Sequence, residues 1–350
     1  MTIRASFAIV LLALEPTRAG ATTIRIPDDY ATIQAGIDAA AFGDTVLVSP
    51  GLWDQTETRL YPLNSVSNPV SCTAVVFLKD GVVVRSEGGA SVTTLSLDGP
   101  VIGPAATVLG GVALDSGLAA VEGFTFVDTP LLSSGVKLWG SAGSVRLCVF
   151  DDMTFTGTGD AAISSTFGNV MVEDCEFRDC VSDHVGGLIS GSDHSLVMNR
   201  CRFERCQRAS RVEGAQGSRA EILECTFIDN VAPNGAGIYL VNHPDTRIAG
   251  CWFEGNVLTN FQGGAIVIAV ATVDITGNVF FENEAPTARV ADIYFTRVDG
   301  TVEHNTFYGA TQAPNPSRGV SVETEDTNIL FRGNVLAGTM GGPALWIGGQ

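Results

Sequence analysis

The sequence predicts an all-β, single-stranded parallel β-helix, and three features carry that prediction. First, cysteines recur in one local frame: Cys175 ahead of Phe177, Cys201 ahead of Phe203, Cys225 ahead of Phe227 and Cys251 ahead of Phe253. Asparagine then takes the slot, as Asn278 before Phe280, Asn305 before Phe307 and Asn334 before Leu336. With Phe126 and Phe155 read as earlier members, the spacing holds at about 26 residues, the length of one solenoid turn. Second, slot and phenylalanine lie two residues apart, hence on one face of a strand. The residues between and beside them, Glu173, Arg200, Arg202, Glu224 and Thr226, are charged or small and belong on the other face. Third, the 40 glycines oppose helices. Helical repeats would need two amphipathic stretches per period, leucine-rich repeats a leucine ladder, and a propeller blade a longer unit.

Each further mark has a place in such a coil. Pairs such as Val170 and Val172, Leu196 and Met198, and Val273 and Ile275 extend the alternation upstream of the slot. A second slot follows each phenylalanine by three, at Cys180, Cys206, Asn230, Asn256 and Asn283. Stacked at a turn, the asparagines are expected to adopt the left-handed conformation and to bond to one another along the axis. Gly186-Gly187-Leu188-Ile189, Gly235-Ala236-Gly237-Ile238 and Gly263-Gly264-Ala265-Ile266 read as tight turns feeding the next strand.

Residues 1–21 read as a secretory signal, with Arg4, an apolar run from Ala5 to Leu14, and Ala19-Gly20-Ala21 as a small-residue cleavage site. That run is too short for a membrane helix, so an exported, soluble or surface-held mature chain is expected. Residues 22–50 form the expected N-terminal cap. Thr32 is a helix N-cap, Ile33 and Ile37 share a face with Ala40 or Ala41, and Gly43 stops the helix. A strand at 45–48 and a turn at Pro50-Gly51 follow. The β-helix then fills the rest of 22–350, and Gly341 to Ile347 reads as another coil, so its C-terminal end is expected to be incomplete.

The run from Tyr30 through Gly51, with Asp44-Thr45 and Pro50-Gly51, resembles the N-terminal signature of right-handed parallel β-helix proteins of the pectin-lyase-like fold. The later frame of Cys or Asn, Phe, Asn and Gly-Gly-Ala-Ile is similar to repeats of bacterial secreted and surface β-helix proteins, including the polymorphic outer-membrane proteins. The resemblance implies a right-handed coil; it is specific for fold and weak for activity, since the fold hosts lyases, hydrolases, esterases, epimerases, adhesins and tailspikes.

Composition narrows the partners. The chain carries 38 acidic and 20 basic side chains, a formal net charge of −18, with Lys79 and Lys137 its only lysines. Without a basic stripe, nucleic acid is excluded. A polyanionic glycan would need calcium as a bridge, which makes calcium the one candidate cofactor. A monomer is expected. The eight cysteines are consistent with disulfides in an exported chain. Cys175/Cys201, Cys225/Cys251 and Cys180/Cys206 each sit one coil apart, about 4.8 Å. In-register Cβ atoms then stay wider than the roughly 3.8 Å a disulfide wants, which favours a buried thiol ladder. No Cys-x-x-Cys pair indicates a structural metal.

The hydrolase, esterase and epimerase motifs implied by the resemblance are matched only in fragments: Asp151-Asp152, and His243-Pro244-Asp245 in altered order. For a pectate-lyase-like site, which the resemblance associates with calcium, carboxylates and an arginine base, the best match is the coil after Phe177. Asp179, Asp183-His184 and Asp193-His194 lie there, with Arg208 and Arg211 one coil on. The candidate catalytic residues are thus Asp183, His184, Asp193, His194, Arg208 and Arg211, against the alternative of exposed turn aspartates. Candidate sugar platforms are Trp53 and Tyr61, beside or within the irregular stretch from Asp54 to Cys72, and Trp252, whose alternation points it outward; Trp139 is a further one. Three functions fit: a β-helix binding carbohydrate or a cell-surface component, a polysaccharide lyase or related carbohydrate-active enzyme, and a passive stalk.

Overall fold

The computed structural model describes residues 20–62, 68–98, 102–111, 118–127, 134–140, 142–155, 161–166, 168–182, 188–192, 195–214, 218–259, 264–286, 290–309, 318–322, 327–338 and 345–347. The chain winds as a right-handed parallel β-solenoid. Each coil lays a strand on three long ladders. One ladder runs through Asn169–Glu173, Ser195–Asn199, Arg219–Leu223 and Asp245–Ala249. An eleven-stranded ladder runs through Glu176–Arg178, Arg202–Glu204, Thr226–Ile228 and Trp252–Glu254. The remaining ladder runs through Ser210–Glu213, Ile238–Val241 and the start of Ile266–Thr276. Strands begin at Ile238 and Ile266, where the glycine-rich turns were expected to deliver them.

The core is a stack of identical layers. Phe126, Phe150, Phe177, Phe203, Phe227, Phe253, Phe280 and Phe307 form one continuous buried column. Successive rings are stacked with centroids 4.4–5.0 Å apart and planes within 9° of parallel. Phe150, not Phe155, continues the column from Phe126. Phe155 is also buried, but on the short ladder pairing Thr154–Phe155 with Val181–Ser182. Parallel, in-register pairing imposes this stack, because the coil spacing matches the thickness of an offset aromatic pair.

Two corner columns flank the rings. The first holds Cys148, Cys175, Cys201, Cys225 and Cys251, all buried free thiols, and continues as Asn278, Asn305 and Asn334. The second holds Cys180 and Cys206, then Asn230, Asn256 and Asn283. Burial pushes the Cys175 and Cys225 thiols up, so they remain protonated fillers. Each asparagine oxygen accepts from the coil before it, and each amide nitrogen donates back to a carbonyl of that coil; all but Asn334 also donate forward along the column or to Asp292. Asn230 Nδ2 donates to Asn256 Oδ1 at 3.0 Å and Asn256 Nδ2 to Asn283 Oδ1 at 2.9 Å. Asn283 Nδ2 donates at 3.0 Å to Oδ1 of Asp292, which is 1% exposed and whose Oδ2 meets no partner. The left-handed residue is the one before each slot rather than the asparagine itself: Asp174, Arg200, Glu224 and Gly250 at the first corner, Asp179, Arg205, Asp229 and Gly255 at the second, with φ of 51–66°.

The helix Ile33–Ala39 forms where expected. Thr32 Oγ1 accepts from Ala35 N, and Ile33 and Ile37 enter the core. The stretch after Asp54 is more regular than expected: Glu57–Tyr61 pairs antiparallel with Val70–Phe77. That pairing covers the first strand of its ladder, whose open edge would otherwise invite association.

Candidate functional site

Alternation on the eleven-stranded ladder places one side chain of each strand inward and its neighbours outward. In the coils at Val149–Asp151, Glu176–Arg178 and Arg202–Glu204, the outward positions are Val149, Asp151, Glu176, Arg178, Arg202 and Glu204. This half is charged and internally paired, with Arg178 Nε 3.3 Å from Asp151 and Arg202 Nη2 2.8 Å from Glu204. Its corners carry two bidentate pairs, Arg200 on Asp174 and Arg205 on Asp179, each bonded at 2.7 and 2.8 Å. These guanidinium contacts hold both aspartates below the usual carboxylate range.

From Thr226 onward the same face changes character. Its outward positions are Thr226 and Ile228, Trp252 and Glu254, Val279 and Phe281, Thr306 and Tyr308, Val335 and Ala337. Three aromatic rings on successive coils are neighbours there: Phe281 and Tyr308 share the column of Glu254, and Trp252 sits two residues over, in the column of Val279. Trp252 lies 6.3 Å from Phe281, tilted by 31°, and Phe281 stacks on Tyr308 at 5.5 Å and 10°. Trp252 is 39% exposed and Tyr308 45%. The Trp252 indole N–H donates to Glu254 Oε2 at 2.8 Å, which fixes the ring plane.

The other expected site residues lie elsewhere. Trp53 pairs with Leu95, which pairs with Phe126, so it heads the inward column rather than a surface loop; its Nε1 donates to Ser49 O at 3.0 Å. Tyr61 is buried against Phe77 in a small side core, its hydroxyl donating to Leu78 O at 2.8 Å. Trp139 packs on that side core. Tyr61 departs from the loop-platform expectation because the hairpin folds it down onto the coil, and Trp53 because its strand Gly51–Trp53 belongs to the eleven-stranded ladder. Arg208 and Arg211 do share a shallow pocket with Ser210, Asn234, Gly235 and Tyr239, the Arg211 guanidinium sitting 5.0 Å over the Tyr239 ring. Asp183, His184, Asp193 and His194 lie outside the described residues. Asp179 is engaged by Arg205. Among the described residues, no group of three or more His, Cys, Asp and Glu side chains gathers as a metal site, and no helix is long and apolar enough to cross a membrane.

The stacked ladders define a right-handed parallel β-helix protein. The family model described as a right handed beta helix region matches residues 112–280. Among curated proteins, the chain is similar to the metabotropic glutamate receptor-like protein R of Dictyostelium discoideum, 29% identical over 108 residues; the match takes in 29% of this chain and spans 7% of that protein's length. Among solved structures, it is similar to PfbA, a surface adhesin of Streptococcus pneumoniae, with 12% identity, a TM-score of 0.40, and 95% of this chain and 93% of that one covered. It is also similar to the A-module of the Azotobacter vinelandii mannuronan C-5 epimerase AlgE4, with 14% identity, a TM-score of 0.34, and 91% and 93% coverage. These likenesses concern the fold.

Proposed function

We propose that this chain is an exported β-helix protein that binds carbohydrate through the outward row Trp252, Phe281 and Tyr308. The row itself carries the reading. Sugar rings present an apolar face of C–H groups, and neighbouring exposed aromatic rings with a hydrogen-bonded indole offer apolar contact area at little entropic cost. Residues 1–21 act as the export signal, and the protein works as a monomer outside the cytoplasm. The experiment is affinity electrophoresis of the mature protein in gels cast with a panel of polysaccharides, alongside Trp252→Ala. Retardation by at least one polymer, reduced about tenfold in affinity by the substitution, is the expected result. No retardation by any polymer would leave the stalk reading. Release of an unsaturated uronate product, insensitive to Trp252→Ala, would return the site to the adjacent coils holding Asp183 and Arg211.

A further inference from the structure

We propose that the polysaccharide taken by this face is uncharged and lies along the solenoid axis. This rests on the carbohydrate reading above and narrows it to one class of polymer and one orientation.

Charge selects the class. Of the ten outward positions from Thr226 to Ala337, the only charged one is Glu254, and its carboxylate already accepts the Trp252 N–H. The rest are aromatic, aliphatic or threonine. An anionic polymer laid on this strip would give up water and meet no opposite charge on the face, and a cationic one would meet only Glu254, whose carboxylate the indole N–H already occupies. An anionic polymer would also approach a chain with a net charge of −18. A neutral glycan meets neither cost, and the Thr226 and Thr306 hydroxyls can bond its hydroxyl groups.

Geometry selects the direction. The three rings belong to three successive coils, with Trp252 two residues off the column shared by Phe281 and Tyr308, so only a polymer running from coil to coil along the axis, slightly oblique to it, touches all of them. One crossing the axis would follow a single strand and meet one ring.

The test compares neutral β-glucan, xylan and mannan with polygalacturonate and with chitosan, at low and high salt, using wild type, Trp252→Ala, Phe281→Ala, Tyr308→Ala and Arg202→Ala. All four residues are outward, and circular dichroism confirms each variant's fold. The expected result is binding to a neutral polymer that is insensitive to salt, reduced about tenfold by each aromatic substitution and unchanged by Arg202→Ala. Trp252-dependent binding confined to polygalacturonate or chitosan overturns the uncharged assignment and leaves the carbohydrate reading intact. Loss confined to one of the three aromatic variants overturns the axial orientation alone. Binding to no polymer, or self-association of the wild type that Trp252→Ala abolishes, overturns both this inference and the reading beneath it.

Discussion

Replacing Asp292 with asparagine should remove a pH-dependent weakness from the solenoid. The Asp292 carboxyl is buried, accepts one bond from Asn283 Nδ2, and leaves Oδ2 without a partner. Burial raises its pKa from 3.8 to about 7. The folded state therefore keeps a proton that the unfolded chain releases above pH 3.8. Stability falls as pH rises through the window from 3.8 to about 7 and is level beyond it. A gap of about 3 pH units corresponds to about 4 kcal/mol at the alkaline end. Asparagine keeps an acceptor for Asn283 and carries no charge. Asp292→Asn should thus match wild type at about pH 4 and exceed it by up to about 4 kcal/mol at about pH 8. Urea unfolding followed by far-ultraviolet circular dichroism at both values measures this. A difference between the two proteins that is the same at both would refute the reasoning, because burial of the charge would then not be what weakens the fold.

Three further outcomes follow from the core. Phe227→Ala removes a ring stacked 5.0 Å from Phe203 and 4.9 Å from Phe253 and should cost about 3–5 kcal/mol in denaturant unfolding; a loss below about 1 kcal/mol would mean the column collapses freely around the gap. Asn256→Ala removes the acceptor of Asn230 N and one of the two acceptors of Asn230 Nδ2, together with the donor to Phe227 O on the same preceding coil and the donor to Asn283 Oδ1 on the following one, for a loss of about 2–4 kcal/mol; an unchanged midpoint would show that water replaces the amide. The eight cysteines are free and buried, so a thiol reagent should label none of them in the native protein and all of them in denaturant; disulfide-linked peptides in a non-reducing digest would contradict the thiol column.

Most of the fold was legible because parallel coils repeat the same environment at the same interval, and the Cys-x-Phe frame reports that interval directly. The misplaced ring shows the limit. Cys148-Val149-Phe150 carries the same frame, yet Phe155 also falls near the expected spacing and is equally buried, so hydrophobicity alone did not separate them. The corner slots were legible as stacks, but their left-handed residue was not. Asp, Arg, Glu and Gly all occupy it, and that mixture shows no preference a single chain can reveal. At the candidate site, alternation marked Trp252 as outward. It marks Phe281 and Tyr308 equally, each directly after a column phenylalanine, and those two were missed because neighbouring aromatics read as core. Tyr61 is buried because a hairpin, invisible to local pattern, folds it onto the coil, and Trp53 because the short strand Gly51–Trp53, whose pairing no local pattern shows, heads the ring column. Nothing in the sequence distinguishes Asp292 from the other acidic residues; its character comes from the coil stacked against it.

The one-way run of amides gives this solenoid a sense of direction. From Asn230 to Asn283 every carboxamide presents its oxygen to the preceding coil, while its nitrogen donates back to a carbonyl there and forward to the next side chain. Such a file adds up like a row of small magnets, with its donor pole resting on Asp292. Besides the backbone ladder, pulling coils off from the far side would break these bonds one at a time, each rupture leaving an amide nitrogen with one acceptor instead of two. Pulling from the thiol side would break the same backbone ladder but, at its corners, only the weaker bonds of thiols to carbonyls. The molecule should therefore resist traction unequally from its two ends, although every coil along it has the same shape.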